Sequence, residues 1–181
     1  MAAFFLPMDI EIRKVKIKDL THFANIRETE KNCRQCPRYG NSWSCPPEVP
    51  NIYKYTWKYK YAYLIVEKVE YPEKLCKGDF PTLFAEREKY YDGFRRELQL
   101  KLLEAEKKYP GTYSVSTCLI CDQCARSEGK PCRHPESMRY SMTTLGFDFS
   151  KLMKEYFDIE LSWSGDSLST YDYIVAALLE P

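Results

Sequence analysis

The stretch Tyr61-Ala62-Tyr63-Leu64-Ile65-Val66 is apolar on both of the faces that it would present as a strand. Such a strand is covered on both sides and lies in the centre of a sheet. Farther along, Phe80 to Tyr109 carries one apolar stripe at helical spacing, which predicts a long helix ended by Pro110-Gly111. Thr112 to Leu119 is predicted to be the next strand. A strand, a long helix and a second strand indicate a right-handed βαβ crossover.

Shorter elements are predicted on either side of this unit. They are an edge strand over Asp9 to Lys18, a short helix over Asp19 to Glu30, a short helix over Ile52 to Tyr59 (whose alternation also fits a strand), a helix from Glu136 to Leu145 ended by Gly146, a helix from Ser150 to Tyr156 with Ser150 as N-cap, and a final strand from Tyr171 to Leu179. We therefore expect an α+β (or α/β) fold. Its mixed sheet would carry packed helices and two cysteine-rich metal loops in one metal-binding domain over residues 1–181.

Composition and charge restrict the function classes. The chain is 44% hydrophobic and 29% charged, as is ordinary for a soluble globular protein, and its formal net charge is +1. This charge creates no overall field that would attract nucleic acid or an anionic membrane, so neither is an expected partner. The sequence has no run of 18 apolar residues, and the short apolar patch from Met1 to Pro7 lacks the length and the leading charge of a signal peptide, so we expect a cytoplasmic protein. Its oligomeric state is not determined by these features.

Seven of the eight cysteines lie in two short loops. The loops read Cys33-x2-Cys36-x8-Cys45, followed by Pro46-Pro47, and Cys118-x2-Cys121-x2-Cys124-x7-Cys132. Cys76 stands alone. In a reducing compartment such clusters are metal ligands or redox groups more often than disulfides.

The spacing of the second loop favours an iron–sulfur cluster over zinc. In a C-x2-C-x2-C run, three thiolates wrap around a cube of iron and sulfide and each binds a different iron. Around one zinc ion they would be crowded, since zinc commonly uses two widely separated C-x2-C pairs. Structural zinc is the main alternative, and disulfides or free thiols are the third interpretation.

The simplest ligand assignment gives Cys118, Cys121, Cys124 and Cys132 one [4Fe–4S] cluster. The first loop then offers only three thiolates, from Cys33, Cys36 and Cys45. Cys76 can complete this set, a ligand other than cysteine can do so, or one iron stays open to bind a substrate as a Lewis acid. Exchange of ligands between the loops, as in two-cluster ferredoxins, is a further arrangement.

Other polar residues near the loops have both functional and ordinary interpretations. Four arginines lie within or beside the loops and would raise the potential of an anionic cluster or bind an anion; they are Arg34, Arg38, Arg126 and Arg133. Tyr39 and Trp43 would shield a cluster from water or simply pack. His134 could be a metal ligand or a proton donor, but a surface or hydrogen-bonded histidine is the expected interpretation, and His22 is expected to be structural. The Lys and Tyr alternation from Tyr53 to Lys60 is better explained by an amphipathic element than by binding of single-stranded nucleic acid.

The two loops resemble a family of predicted metal-binding, cysteine-rich proteins of anaerobic microbes. The resemblance extends from the first loop to the final strand and rests on Cys33, Cys36, Tyr39, Gly40, Trp43, Cys45, Pro46, Pro47, Cys118, Cys121, Cys124, Cys132, Arg133, Pro135, Arg139, Ser141 and Gly146. It implies metal binding and no particular reaction. Cys76 lies outside this pattern.

Three hypotheses follow for the function. The first is an iron–sulfur protein that transfers electrons to a redox partner protein or serves a redox enzyme as an accessory subunit. The second is an enzyme that binds its substrate at the open iron of a three-cysteine cluster. The third is an interaction module stabilised by zinc, with no chemistry at the metal.

Overall fold

Four strands and five α-helices form the described part of the chain, residues 9–161 and 168–181 of a computed structural model. The strands are β1 (Asp9–Lys16), β2 (Tyr61–Glu70), β3 (Tyr113–Val115) and β4 (Tyr171–Glu180). The helices are α1 (Ile17–Leu20), α2 (Ile26–Cys33), α3 (Ile52–Thr56), α4 (Phe80–Lys108) and α5 (Phe149–Phe157). Short 3₁₀ helices cover Thr21–Phe23, Glu73–Leu75 and Ala125–Glu128.

The strands form one sheet in the order β1-β2-β4-β3, and each neighbouring pair is antiparallel. Since β2 and β3 both pair antiparallel with β4, they run in the same direction, as the predicted strand–helix–strand crossover requires. The sheet differs from the expected mixed sheet because β4 lies between them. Four consecutive residues of β4, Ile174 to Ala177, are buried, and such a strand takes a central position. The predicted α+β class is confirmed.

Both faces of β2 are covered, as its sequence predicted. Ala62, Leu64 and Val66 belong to the core on one face, which includes buried residues of α3 and α5. Ile65 and Val69 belong to the core on the other face, beneath α4. Leu64 is fully buried, and burial of a side chain of this size contributes about 1.5–3 kcal/mol. Three layers result, with the sheet in the middle.

The long helix α4 matches its predicted range closely. The carboxylate of Asp79 accepts a hydrogen bond from the backbone N–H of Thr82 and caps the first turn. Pro81 lies in this turn, where its missing N–H costs nothing. None of the described helices is long and apolar enough to cross a membrane.

The segment expected to form one helix from Asp19 to Glu30 is divided. Ala24 forms a β-bridge with Phe147, so the backbone is extended between the first 3₁₀ helix and α2. Asn25 then caps α2 with its side-chain oxygen, and its N–H donates to the carbonyl of Gly146 over 2.7 Å. This tertiary pairing, which no local pattern encodes, prevents a continuous helix.

The predicted helix from Glu136 to Leu145 is wrong, since this segment consists of turns. Its Arg139 is buried, 3% exposed, and forms two hydrogen bonds to the carboxylate of Glu106 on α4. The same guanidinium donates to the carbonyl oxygens of Glu136 and Met138, so it satisfies backbone groups that a helix would pair internally. The predicted helix from Ser150 to Tyr156 is present as α5, but Asp148 is its N-cap.

Candidate metal centre

The first cysteine loop folds back on itself directly after α2. Cys33 is the last residue of that helix, and its carbonyl accepts a hydrogen bond from the N–H of Cys36. The loop closes where the N–H of Gly40 donates to the carbonyl of Pro46 over 2.9 Å. Cys33, Cys36 and Cys45 thereby line one cavity of about 220 Å³.

The second cysteine loop begins where β3 leaves the sheet. The 3₁₀ helix Ala125–Glu128 ends at Gly129, whose φ of 69° favours glycine. This reversal brings the end of the loop back to its beginning, so all four of its cysteines line a second, smaller cavity of about 30 Å³. These cysteines are Cys118, Cys121, Cys124 and Cys132.

The two loops are in contact. The indole nitrogen of Trp43 donates to the carbonyl of Lys130 over 3.0 Å. Arg126 donates to the carbonyl of Gly40 over 2.8 Å, and its guanidinium carbon lies 4.7 Å from the centroid of the Trp43 ring. Arg126 also forms an ion pair with Glu48 at 3.1 Å. The hydrogen bonds of Trp43 and Arg126 thus attach the second loop to the first.

The two cavities share a wall. Ser42, Ser44 and Cys118 line both of them. Cys118 comes from the second loop, yet it borders the cavity of the three first-loop cysteines. The seven cysteines therefore form two neighbouring groups, and Cys118 stands at their boundary.

The thiols affect one another within each group. Burial raises the pKa of Cys33, and the nearby Cys45 and Cys36 raise it further. Burial likewise raises the pKa of Cys132, to which Cys118, Cys124 and Cys121 add. The backbone N–H of His134 hydrogen-bonds the Cys132 sulfur and acts in the opposite direction by stabilising its thiolate. Thiols with raised pKa values carry protons near neutral pH, so a metal must displace protons to bind them.

The two thiol groups offer soft sulfur donors. In residues 9–161 and 168–181, no three His, Cys, Asp or Glu side chains form a group that could hold one metal ion. All eight cysteines are free thiols, and only Cys36 is exposed, the others being partly buried. Thiolate sulfur is a ligand for zinc and for iron–sulfur clusters alike.

Cys76 lies apart from both groups. Its Sγ is 3.5 Å from the carbonyl oxygen of Pro72 and 3.6 Å from that of Tyr71. It packs against the core beneath α4, and neither cysteine-lined cavity includes it. The structure thus does not bring Cys76 to the three first-loop cysteines, which was one of the ways we considered to complete that set.

The predicted arginines have different positions. Arg38 lines the first cavity and forms an ion pair with Asp92 of α4. Arg133 lines the second cavity and donates to the carbonyl of Gln123 over 2.8 Å. Arg34 is exposed and pairs with Glu30.

Neither of the two histidines lines the cavity of the first cysteine loop. His134 lines the second cavity, while its ring nitrogen lies 4.0 Å from the carboxylate of Glu136. His22 is an exposed residue of the first 3₁₀ helix.

A larger cavity of about 370 Å³ lies beside the first one, and sequence reasoning missed it. The two cavities share Glu88, Arg95, Thr117, Ser141 and Thr143 as lining residues. Glu88 and Arg95 belong to α4, where the sequence pattern gave only an amphipathic helix. Charged residues of such a helix resemble any solvated face, so no sequence signal distinguished them.

The fold and the site define a cysteine-rich α+β protein with two adjacent thiol groups. Residues 14–179 match the model of the family described as predicted metal-binding protein (DUF2284), and the chain belongs to this family. That description supports metal binding and specifies neither the metal nor a reaction. No curated protein and no solved structure matches the chain.

Proposed function

We propose that this protein holds two iron–sulfur clusters, of the [4Fe–4S] type, and transfers electrons as a carrier or as an accessory subunit of a redox enzyme. The observation that carries the proposal is the adjacency of the two thiol groups, which share Ser42, Ser44 and Cys118 as a wall. Clusters held side by side exchange electrons readily, whereas two structural metals would not need a common wall.

The proposed ligands follow the two groups. Cys118, Cys121, Cys124 and Cys132 hold one cluster. Cys33, Cys36 and Cys45 hold the other, which leaves one iron for a different ligand. A cubic cluster attaches each thiolate to a separate iron, so it fits thiols that surround a cavity.

The surroundings of both groups suit an anionic cluster. Arg38 lies at the first cavity and Arg133 at the second. Positive charge and backbone N–H groups near the sulfurs raise the reduction potential of a thiolate-bound cluster. Burial raises the pKa of the Cys45 thiol, and Arg38 is among the groups that act in the opposite direction.

A second candidate function is an enzyme that binds a substrate at the three-cysteine group. The observation that favours it is the cavity of about 370 Å³ beside that group. This volume lies in the range of small-molecule sites. Arg95, held by Asp92 at 3.1 Å and lining both cavities, would orient a bound molecule by its charge.

The deciding experiment measures iron, zinc and acid-labile sulfide in protein purified without oxygen, together with a visible spectrum. We expect about eight iron atoms and an equal amount of sulfide per chain, with the broad absorption of a brown protein. Stoichiometric zinc without sulfide would overturn electron transfer and indicate a zinc-stabilised interaction module. An EPR signal that changes on addition of a small molecule would favour the enzyme over the carrier.

A further inference from the structure

A groove of about 490 Å³ lies between the first residues after β1, helix α3 and the start of β2. We call it, with the outward residues of α3 and the exposed Lys58 that follows this helix, the lysine–aromatic surface. Its members are Lys16, Lys18, Tyr53, Lys54, Trp57, Lys58, Tyr59, Lys60 and Tyr61. Among the described residues, no Asp or Glu lines the groove.

The lysines of this surface differ from those elsewhere in the protein. Nine of the seventeen lysines form ion pairs. Of the eight that form none within the described residues, five lie on this surface; they are Lys16, Lys18, Lys54, Lys58 and Lys60. A net charge near zero thus conceals a local excess of lysines in the groove, while the nearest acidic residues, Asp19 and Glu180, lie outside its lining.

Large aromatic side chains are exposed at the same place. Trp57 is 78% exposed and Tyr53 is 56% exposed. Helix α3 buries only Ile52 and Thr56, and its outward residues Tyr53 and Lys54 are exposed. Exposed tryptophan and tyrosine surrounded by charges have the composition of a protein–protein interface, where aromatic residues supply most of the binding energy.

The surface is connected to the candidate metal centre. Helix α3 follows the first cysteine loop, with Pro46 and Asn51 bordering one further cavity together with Cys33. On its inner side, Tyr55 packs edge-to-face against Tyr140, with ring centroids 5.6 Å apart. Tyr140 lies in the segment that follows the second cysteine loop. Helix α3 therefore connects the surface to the first cysteine loop and, through Tyr140, to the segment after the second.

We propose that the lysine–aromatic surface docks an acidic electron-carrier protein. That the partner carries electrons rests on the proposed function. That an acidic protein binds at this surface rests on the lysines and on Trp57. In the docked complex, one electron passes from the reduced carrier to the oxidised cysteine centre without making or breaking a covalent bond.

The groove fits a protein better than it fits the other polyanions. Its aromatic residues lie among charges in a concave surface, which is the arrangement of an interface with a polar rim. A membrane-surface helix needs a long apolar face, and α3 has only five residues. Binders of single-stranded nucleic acid need a positive groove that follows the backbone over several nucleotides, whereas the lysines here are confined to one short groove and to α3 beside it.

The test uses an acidic flavodoxin as the probe and the full chain purified without oxygen. Isothermal titration calorimetry at low ionic strength should detect binding that weakens as salt is added. The triple variant K16E/K18E/K60E should weaken binding by about tenfold or more. The matched control K74E/K89E/K108E makes the same change of charge at three other exposed lysines without ion pairs and should bind as the unmodified protein does. W57A should weaken binding with no change of charge.

Circular dichroism spectra of each variant are compared with that of the unmodified protein to check that the variant is folded. The proposal is overturned if the unmodified protein does not bind flavodoxin or if the control triple variant weakens binding equally. It is also overturned if only a thymidine oligonucleotide or phosphatidylserine vesicles bind in the lysine-dependent way. Metal analysis of the same samples separates the two proposals. A zinc protein that binds flavodoxin through these lysines keeps the docking surface and loses the clusters, and an iron–sulfur protein that does not bind loses only the docking surface.

Discussion

Trp43 and Lys130 join the two cysteine loops through a hydrogen bond of 3.0 Å from the indole nitrogen to the backbone carbonyl. The two residues lie 87 positions apart in the sequence. It places the turn before Cys45 against the turn before Cys132. The two thiol groups are therefore held at a fixed separation by a contact that involves no cysteine.

Replacing Trp43 with phenylalanine should loosen this attachment and leave the fold intact. The variant keeps a ring beneath Arg126 and lacks the N–H, which contributes about 0.5–1.5 kcal/mol. We expect a chelator to remove the metal about two to tenfold faster. The control is W57F, whose ring is mostly exposed and should not affect release. Equal rates in W43F and the unmodified protein would show that the contact does not hold the loops.

Replacing Cys121 with serine should remove one metal centre and leave the other. Cys121 lines only the second cavity, whereas Cys118 borders both, so C118S should disturb both centres. C76S is the control and should keep its full metal content, because Cys76 lies in the core beneath α4. Metal analysis and EPR spectra of the three variants measure these effects. Loss of both centres in C121S, or of neither, would refute two separate sites.

The pair of Glu106 and Arg139 should make stability depend on pH. Burial alone would raise the pKa of Glu106, but hydrogen bonds from Arg139 and Ser114 outweigh it and lower the pKa. A lowered pKa in the folded state stabilises the protein above the usual carboxyl range. This stabilisation is lost as the pH falls through the folded-state pKa.

Denaturant unfolding of the E106Q variant tests this effect. At neutral pH the variant should be less stable by about 3 kcal/mol, because it leaves a buried guanidinium unpaired. The difference from the unmodified protein should shrink as the pH is lowered below the carboxyl range. A difference that stays constant with pH would mean that the lost stability comes from packing.

Gly146 should not tolerate a side chain. Its φ is 96°, and an added Cβ would lie 2.7 Å from the Cγ1 of Ile26 at the start of α2. G146A should therefore destabilise the protein by about 1–3 kcal/mol and shift the helix that ends at Cys33. G93A is the matched control, since Gly93 lies inside α4 with open space around it and alanine should stabilise the helix by about 0.5–1 kcal/mol. Thermal unfolding of both variants gives the comparison.

Local patterns predicted the central strand and the long helix of this fold well. The apolar stretch at the start of β2 and the stripe of α4 determine their own structures, because each buries a continuous face. The order of the strands in the sheet could not be predicted from such local patterns. Whether β4 inserts between β2 and β3 depends on tertiary pairing, and local periodicity contains no information about it.

The cysteine spacing predicted two groups and left their separation open. Their shared wall depends on Trp43 and Arg126, whose partners are backbone carbonyls of the opposite loop. Backbone acceptors have no sequence signature, so this contact is invisible before folding. The wrong helix at Arg139 has a different cause, because its buried partner is the carboxylate of Glu106, 33 residues away, and local periodicity does not reveal such a pair. That all the described residues form a single domain stays a prediction.

The central position of β4 determines when the thiol groups can meet during synthesis. Tyr63 of β2 donates a hydrogen bond to Glu180 of β4, 117 residues later in the sequence. The first cysteine loop precedes Tyr63, and the second lies between the two residues. Until β4 has left the ribosome, β3 and β2 have no strand between them to hold them together. The nascent chain therefore exposes all of its loop thiols before the sheet that positions them is complete. The assembled groups can therefore bind metal only after β4 has paired, and the loop thiols are open to oxidants until then.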